Sequence, residues 1–262
     1  MYREAMNIKR GGVQVQSVSR ALEIINCFRE SPEMGISEIA AAMDLNKSTV
    51  FGLVNTLASY GYLEQIASTK KYRLGITLFE LGNMVLSRID IRNEAKEICS
   101  PLASKYRATV HIATHSDGQV VYIDKIDAGD SLVTASKVGQ RAPMHCTGVG
   151  KAMLAFLPKE YLDRFIFHAP LRRLTPNTIT DKKIFLSELE EIRETGIAMD
   201  REEIEPGLNC IASPVLQRDG LPEIAVSLSF PYGRIREINQ EEAKADLAEC
   251  TRKLSERLGY RR

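Results

Sequence analysis

Through the first third of the chain, apolar residues recur at helical spacing. Over residues 17–30, Val18, Leu22, Ile25 and Phe28 fall on one side of a predicted helix that Ser31-Pro32 ends. Ser37 is the expected N-cap of a short second helix with Ile39, Ala40 and Met43 inward, and Asp44-Leu45-Asn46 is a tight break. A third helix is predicted over residues 47–60. Val50, Leu53, Val54 and Leu57 form its apolar stripe, and Gly61 stands where a helix commonly closes on glycine. Strand-like runs at 62–65 and 72–74 flank a polar loop and read as a hairpin. Residues 77–88 return to helical spacing, with Leu78, Leu81, Val85 and Ile89 on one side.

After a further helix at 92–106 the period shortens to two. Strands are expected at 110–114, 120–126, 132–136, 211–215 and 224–230, with Gly118, residues 127–130 and Asp219-Gly220 as turns. Helices are expected at 148–167, 181–194 and 239–258. This hairpin-rich order predicts an α+β protein with an antiparallel sheet in its larger part. The divisions that follow are an arm (1–16), a three-helix and hairpin domain (17–76), a linker helix (77–91) and a larger domain (92–262).

Composition narrows the function. The chain has 262 residues, 44% hydrophobic and 26% charged, enough to bury a real core. Lys plus Arg number 35 against 34 acidic residues, so any nucleic-acid affinity has to come from a local patch. No run approaches the ~20 apolar residues of a membrane helix, and residues 1–16 do not read as a secretory leader. The five cysteines are widely spaced without a CxxC, which suits reduced thiols in a cytoplasm better than a disulfide framework. With no Trp and 6% aromatics, a stacking surface for single strands is not expected.

The outward side of the third helix carries Lys47, Ser48, Thr49, Phe51, Asn55 and Ser59. These groups suit base edges, thymine methyls and phosphates. The helix start offers backbone N–H groups beside Lys47. The hairpin adds Lys70, Lys71 and Arg73, so residues 45–75 hold four cations against Glu64, a local +3. By geometry alone this is either a DNA-reading unit or a small bundle with a solvated hairpin.

In the larger part, Gly150-Lys151 is not a phosphate loop, because His145 and Ala152 replace the glycine and hydroxyl that pattern needs. What remains is a helix start near Gly148 that favours an anion. His111 and His115 lie on one strand about 13 Å apart at 3.3 Å per residue, too far to share a metal, and read as surface or core histidines. His145-Cys146, adjacent on an extended chain, point apart and do not pair as nucleophile and base. Cys210 is either a pocket thiol or core. Ser227 and Ser229 share one face of a strand and Val226, Leu228 and Phe230 the other; on residues alone the serines read as half-exposed. No metal or cofactor site is predicted.

Residues 18–24 (VSRALEI), 35–40 (GISEIA), Lys47-Ser-Thr-Val and Gly61-Tyr-Leu resemble the winged helix-turn-helix of the IclR family of bacterial transcription regulators. Residues 139–155, 196–203, 207–215 and 224–231 resemble that family's effector domain, so the likeness spans about residues 17–259. One departure is Gly52, where the family often carries Arg. The resemblance implies a GAF-like effector domain, a homodimer or homotetramer on double-stranded DNA, and a small organic or sugar acid as effector. Residues 125–127 and 227–231 further resemble the branch responding to sugar acids of the ketodeoxygluconate type. It also implies an acid pocket of Gly148, Val149, Asp200, Cys210, Ser227 and Ser229. The expected function is thus a ligand-responsive repressor of a carbon-catabolic operon, not an enzyme. The alternative, a small-acid hydrolase or lyase with an accessory helical domain, has no paired carboxylate or nucleophile–base motif behind it.

Overall fold

Polar side chains that accept from first-turn N–H groups start several helices of this chain. In the computed structural model, which describes residues 15–86, 91–127, 136–231 and 233–260, Asn46, Thr147, Asp181 and Asn239 each cap a helix in this way. The chain divides into two units, Met1–Arg88 and Ile89–Arg262.

The first unit runs α1 (Gln16–Cys27), α2 (Ile36–Met43), α3 (Lys47–Ser59), β1 (Leu63–Gln65), β2 (Tyr72–Leu74) and α4 (Ile76–Leu86). Its core gathers Ile24 of α1 and Phe28 at its C-cap, Ile39, Ala40 and Met43 of α2, Val50 and Val54 of α3, and Leu63 and Tyr72 of the hairpin. The expected α1 stripe is corrected here. Val18 and Leu22 are each 56% exposed, whereas Ile24 and the expected Phe28 are buried, because this segment reaches the core only through its later turns. Ser37 is not the cap of α2. The helix starts two residues earlier, with Gly35 as N-cap donating its N–H to the Glu38 carboxylate at 2.6 Å. Asp44, at φ 53°, makes the left-handed break before α3. Gly61 and Gly75 close the hairpin's base. A Cβ on Gly75 would overlap the Gly61 carbonyl oxygen, and one on Gly61, at φ 74°, would lie 2.6 Å from Thr77 Oγ1.

The second unit opens with α5 (Ile91–Tyr106), β3 (Thr109–Ser116), β4 (Gln119–Ile126) and β5 (Arg141–Pro143). A 3₁₀ turn, Met144–Cys146, leads into α6 (Gly148–Leu154), and α7 (Lys182–Thr195), β6 (Ala198–Arg201), β7 (Leu208–Leu216), β8 (Pro222–Pro231) and α8 (Gln240–Arg257) follow. The strands form one antiparallel sheet in the order β5-β4-β3-β8-β7-β6. One face is covered by α5 and α8, where Ser213 meets Thr251 at 2.8 Å. The other is covered by α6 with α7 behind it, through Val149, Ala152, Met153, Phe185, Leu189 and Ile192. Ser227 and Ser229 are therefore buried, not half-exposed: both faces of their strand are roofed.

The single helix expected over 148–167 is broken after Leu154. Pro158 lacks an N–H and its ring crowds the carbonyl four residues back, so the chain restarts as one turn, Lys159–Tyr161, followed by a π-turn, Leu162–Ile166. The edge strands β5 and β6, three and four residues long, carry too little period-2 pattern to be read in advance. Residues 1–14 of the arm, Ile89 of the linker stripe and 132–135 of a predicted strand lie outside the described residues. No helix among the described residues is long and apolar enough to cross a membrane.

Candidate functional site

Burying Val50 and Val54 turns the opposite side of α3 outward. Lys47, Ser48, Phe51 and Asn55 are exposed, Phe51 by 53%, and Thr49 is half-buried. The helix start differs in one respect from the expected row of open N–H groups. Asn46 Oδ1 accepts from Thr49 N at 3.0 Å and from Ser48 Oγ at 3.1 Å, which leaves the N–H groups of Lys47 and Ser48 beyond the helix's own bonding. In the hairpin, Lys71 pairs with Glu38 at 2.8 Å and Arg73 with Glu64 at 3.1 Å. Lys70 sits in the loop between the strands, at φ 58°. Glu38 lies outside the 45–75 window, so the local charge is lower than a window count implies.

In the second unit, strand register builds a polar patch. One rung runs Asp200, Cys210, Ser229, Thr109 across β6, β7, β8 and β3; the next runs Ala198, Ala212, Ser227, His111. The small residues of the second rung let the start of α6 come close. A Cβ on Gly148 would lie 3.1 Å from the Ala212 Cβ and 3.4 Å from that of Cys210. A cavity of about 220 Å³ remains between the patch, the start of α6 and the segment 204–208. Gly148, Val149, Asp200, Cys210, Ser227 and Ser229 all line it. The N–H groups of Gly148 and Val149 lie in the first turn of α6, whose third N–H is taken by Thr147 Oγ1 at 3.2 Å.

No lysine or arginine is among the lining residues, while Asp200 and Glu205 are. Burial raises the Asp200 carboxyl to about 7, although its Oδ1 accepts from Glu203 N at 2.8 Å. Burial likewise raises the Cys210 thiol, which stays protonated beside Ser229 at 3.2 Å. Behind the cavity, Lys151 is fully buried one turn beyond Gly148 and holds the carboxylates of Glu188 and Glu203, the latter at 2.5 Å. This pairing ties α6 and α7 to the segment that follows β6.

His111 has a place that its spacing did not suggest. It is neither surface nor inert core but lines the cavity, with Nδ1 3.0 Å from Ser229 Oγ and Nε2 2.6 Å from Ser136 Oγ. Tyr122, Gln140 and Thr147 line it too. The cross-strand pairing of β3 with β8 is the signal that finds His111. His115 instead meets the Tyr161 hydroxyl at 3.1 Å. His145 and Cys146 occupy the 3₁₀ turn rather than extended chain. His145 Nε2 lies 2.9 Å from the Arg172 carbonyl oxygen, and burial pushes the Cys146 thiol up to about 12. Neither is equipped as a nucleophile.

Family models match both units: the IclR helix-turn-helix domain over residues 17–67 and the bacterial transcriptional regulator IclR C-terminal domain over residues 83–256. The chain is 35% identical to the HTH-type transcriptional regulator KdgR of Dickeya chrysanthemi over 246 residues, 94% of this chain and 81% of that protein. It is 35% identical over 247 residues to the HTH-type transcriptional regulator XynR of Escherichia coli strain K12, 94% of this chain and 98% of that one. Among solved structures, the Thermotoga maritima IclR shares 31% identity at a TM-score of 0.75, with 94% of this chain and 100% of that chain covered. The chain belongs to the IclR family: it is a ligand-responsive, DNA-binding transcriptional regulator and not an enzyme.

Proposed function

We propose that this regulator is a cytoplasmic repressor of a carbon-catabolic operon, released from or retained on DNA according to whether a small organic or sugar acid fills the cavity of the second unit. The observation that carries this reading is the convergence of Gly148, Val149, Asp200, Cys210, Ser227 and Ser229, scattered over 82 positions of chain, on one enclosed space. The first-turn N–H groups of α6 take the acid's carboxylate. Asp200, Ser227 and Ser229 bond its hydroxyl or keto oxygens. For the acid to act as a signal, it has to bind the DNA-competent and incompetent states with different affinity.

On the DNA side, Lys47, Ser48, Thr49, Phe51 and Asn55 enter the major groove, while Lys70, Lys71 and Arg73 hold phosphates. Lys71 and Arg73 exchange Glu38 and Glu64 for phosphate at little loss, because exposed ion pairs contribute little. A homodimer or homotetramer sets two such helices on adjacent groove segments about 34–36 Å apart, or a multiple of that. Exposed apolar residues of α1 and α4 support self-association: Leu22 at 56% and Phe79 at 64%.

Selection of genomic fragments by the purified protein, followed by titration of the selected operator, tests the reading. Lys47→Ala with Lys70→Ala is expected to weaken binding to all sequences and lower the salt slope by about 2, whereas Asn55→Ala relaxes base preference. Ser227→Ala with Ser229→Ala is expected to abolish the acid's influence on the operator complex and leave operator affinity intact. Unchanged affinity and salt slope in the lysine variant overturn the DNA assignment, and an unchanged acid response in the serine variant overturns the pocket.

A further inference from the structure

We propose that His111 determines specificity at this cavity: through Ser229 and Ser136 it aims hydroxyl groups at the chain of the bound acid, so that acids bearing hydroxyl or keto oxygens are taken over unsubstituted acids of the same length. The inference rests on the reading of the cavity as an acid site and concerns what that site selects.

His111 stands at the middle of the sheet, opposite Ser227 on β8 and Lys125 on β4. Its side chain is 4% exposed, and what it shows faces the cavity. Burial, helped by the nearby Lys125 charge, lowers its pKa to about 4, so the ring is neutral at physiological pH. A neutral imidazole donates through one nitrogen and accepts through the other. Of the two serines bonded to it, one hydroxyl is therefore held as acceptor and the other as donor, in a sense fixed by the ring's tautomer. Ser229 is further tied to the Cys210 thiol, which has Asp200 as its cross-strand neighbour. The result is a continuous line of polar groups, Ser136, His111, Ser229, Cys210 and Asp200, along one wall.

An acid with oxygens along its chain can bond to this wall. An unsubstituted chain of equal length covers the same polar groups without returning a hydrogen bond, and a site built this way rejects the analogue that lacks the partner. His111 touches the acid's chain or acts on it through the serines, but the carboxylate is held elsewhere, at the start of α6. Its effect is thus on selectivity rather than on acid binding as such.

The test is calorimetric titration of the full-length protein with gluconate and with hexanoate, six-carbon acids with and without hydroxyls. The wild-type protein is expected to prefer gluconate by at least ten-fold. His111→Leu is expected to lower gluconate affinity at least ten-fold and leave hexanoate affinity unchanged or stronger. His111→Asn, which keeps a donor and an acceptor, is expected to retain part of the preference, and it carries the test alone if the leucine variant does not fold. A structural role predicts equal losses for both acids, and that result overturns the proposal, as does an unchanged ratio in both variants. A wild-type protein that favours hexanoate overturns this inference and leaves the acid site standing. A wild-type protein that binds neither acid overturns both.

Discussion

Asp200 and Lys151 show how a single buried charge shapes this molecule. The Asp200 carboxyl titrates near 7 in the folded chain against 3.8 in an unfolded one. Between those values the folded state keeps a proton that the unfolded state has lost, so this group's stabilising contribution is present at low pH and is lost as pH rises through 7. His111 acts in the opposite sense: with its pKa lowered from 6.5 to about 4, it contributes stability that is lost as pH falls through that range. Asp200→Asn removes only the first effect. Urea denaturation of variant and wild type is expected to show the stability difference moving in the variant's favour from pH 5 to pH 8; a difference that does not change with pH contradicts the assignment. Lys151 is the counter-charge for one buried carboxylate, Glu203, and one half-buried one, Glu188. Lys151→Met is expected to destabilise the second unit by about 3–5 kcal/mol in the same assay, since it strands Glu188 and Glu203 without a cation. Adding Glu203→Gln is expected to recover part of that loss.

Among the elements, α3 carries a deliberate weakness and the hairpin a tight closure. Gly52 sits in the helix interior, and a Cβ there would meet nothing within 4 Å. Gly52→Ala is therefore expected to stabilise the first unit by about 0.5–1 kcal/mol, seen as a higher denaturation midpoint at unchanged slope. Gly75 is the opposite case. A Cβ there overlaps the Gly61 carbonyl, so Gly75→Ala is expected to lower that unit's melting temperature and loosen the hairpin, with faster amide exchange at Tyr62 and Tyr72. A Gly75→Ala protein as stable as wild type contradicts the close approach of the two glycine backbones. The broken helix after Leu154 follows the same logic, because Pro158 decides where α6 stops whatever the apolar spacing says.

For the molecule as a whole, neutrality hides the distribution of function. A net charge of +1 coexists with a cationic helix start and hairpin in one unit and a cavity lined by carboxylates and hydroxyls in the other. The apolar residues left exposed on α1 and α4 belong to assembly in the proposed reading. Leu22→Glu with Phe79→Glu is expected to shift the protein to a smaller species by sedimentation velocity and to weaken binding to a two-half-site operator far more than to a single half-site. Unchanged sedimentation separates those residues from assembly.

Periodicity was enough to place α3, its buried Val50 and Val54, and the turn glycine after it, because spacing along one helix fixes which side chains share a face. The two-residue period of a strand likewise put Ser227 and Ser229 on one face of β8. Their burial, and the arrival of His111 beside them, came from strand pairing between segments more than a hundred residues apart and from a second layer of helices over the sheet. The first turns of the α1 stripe stay exposed for a related cause, since three helical turns can be amphipathic while only the last of them reaches the core. Local order follows from the covalent chain and its dihedral preferences. A binding wall depends on which rungs are brought into register, and that is settled only when the whole sheet closes.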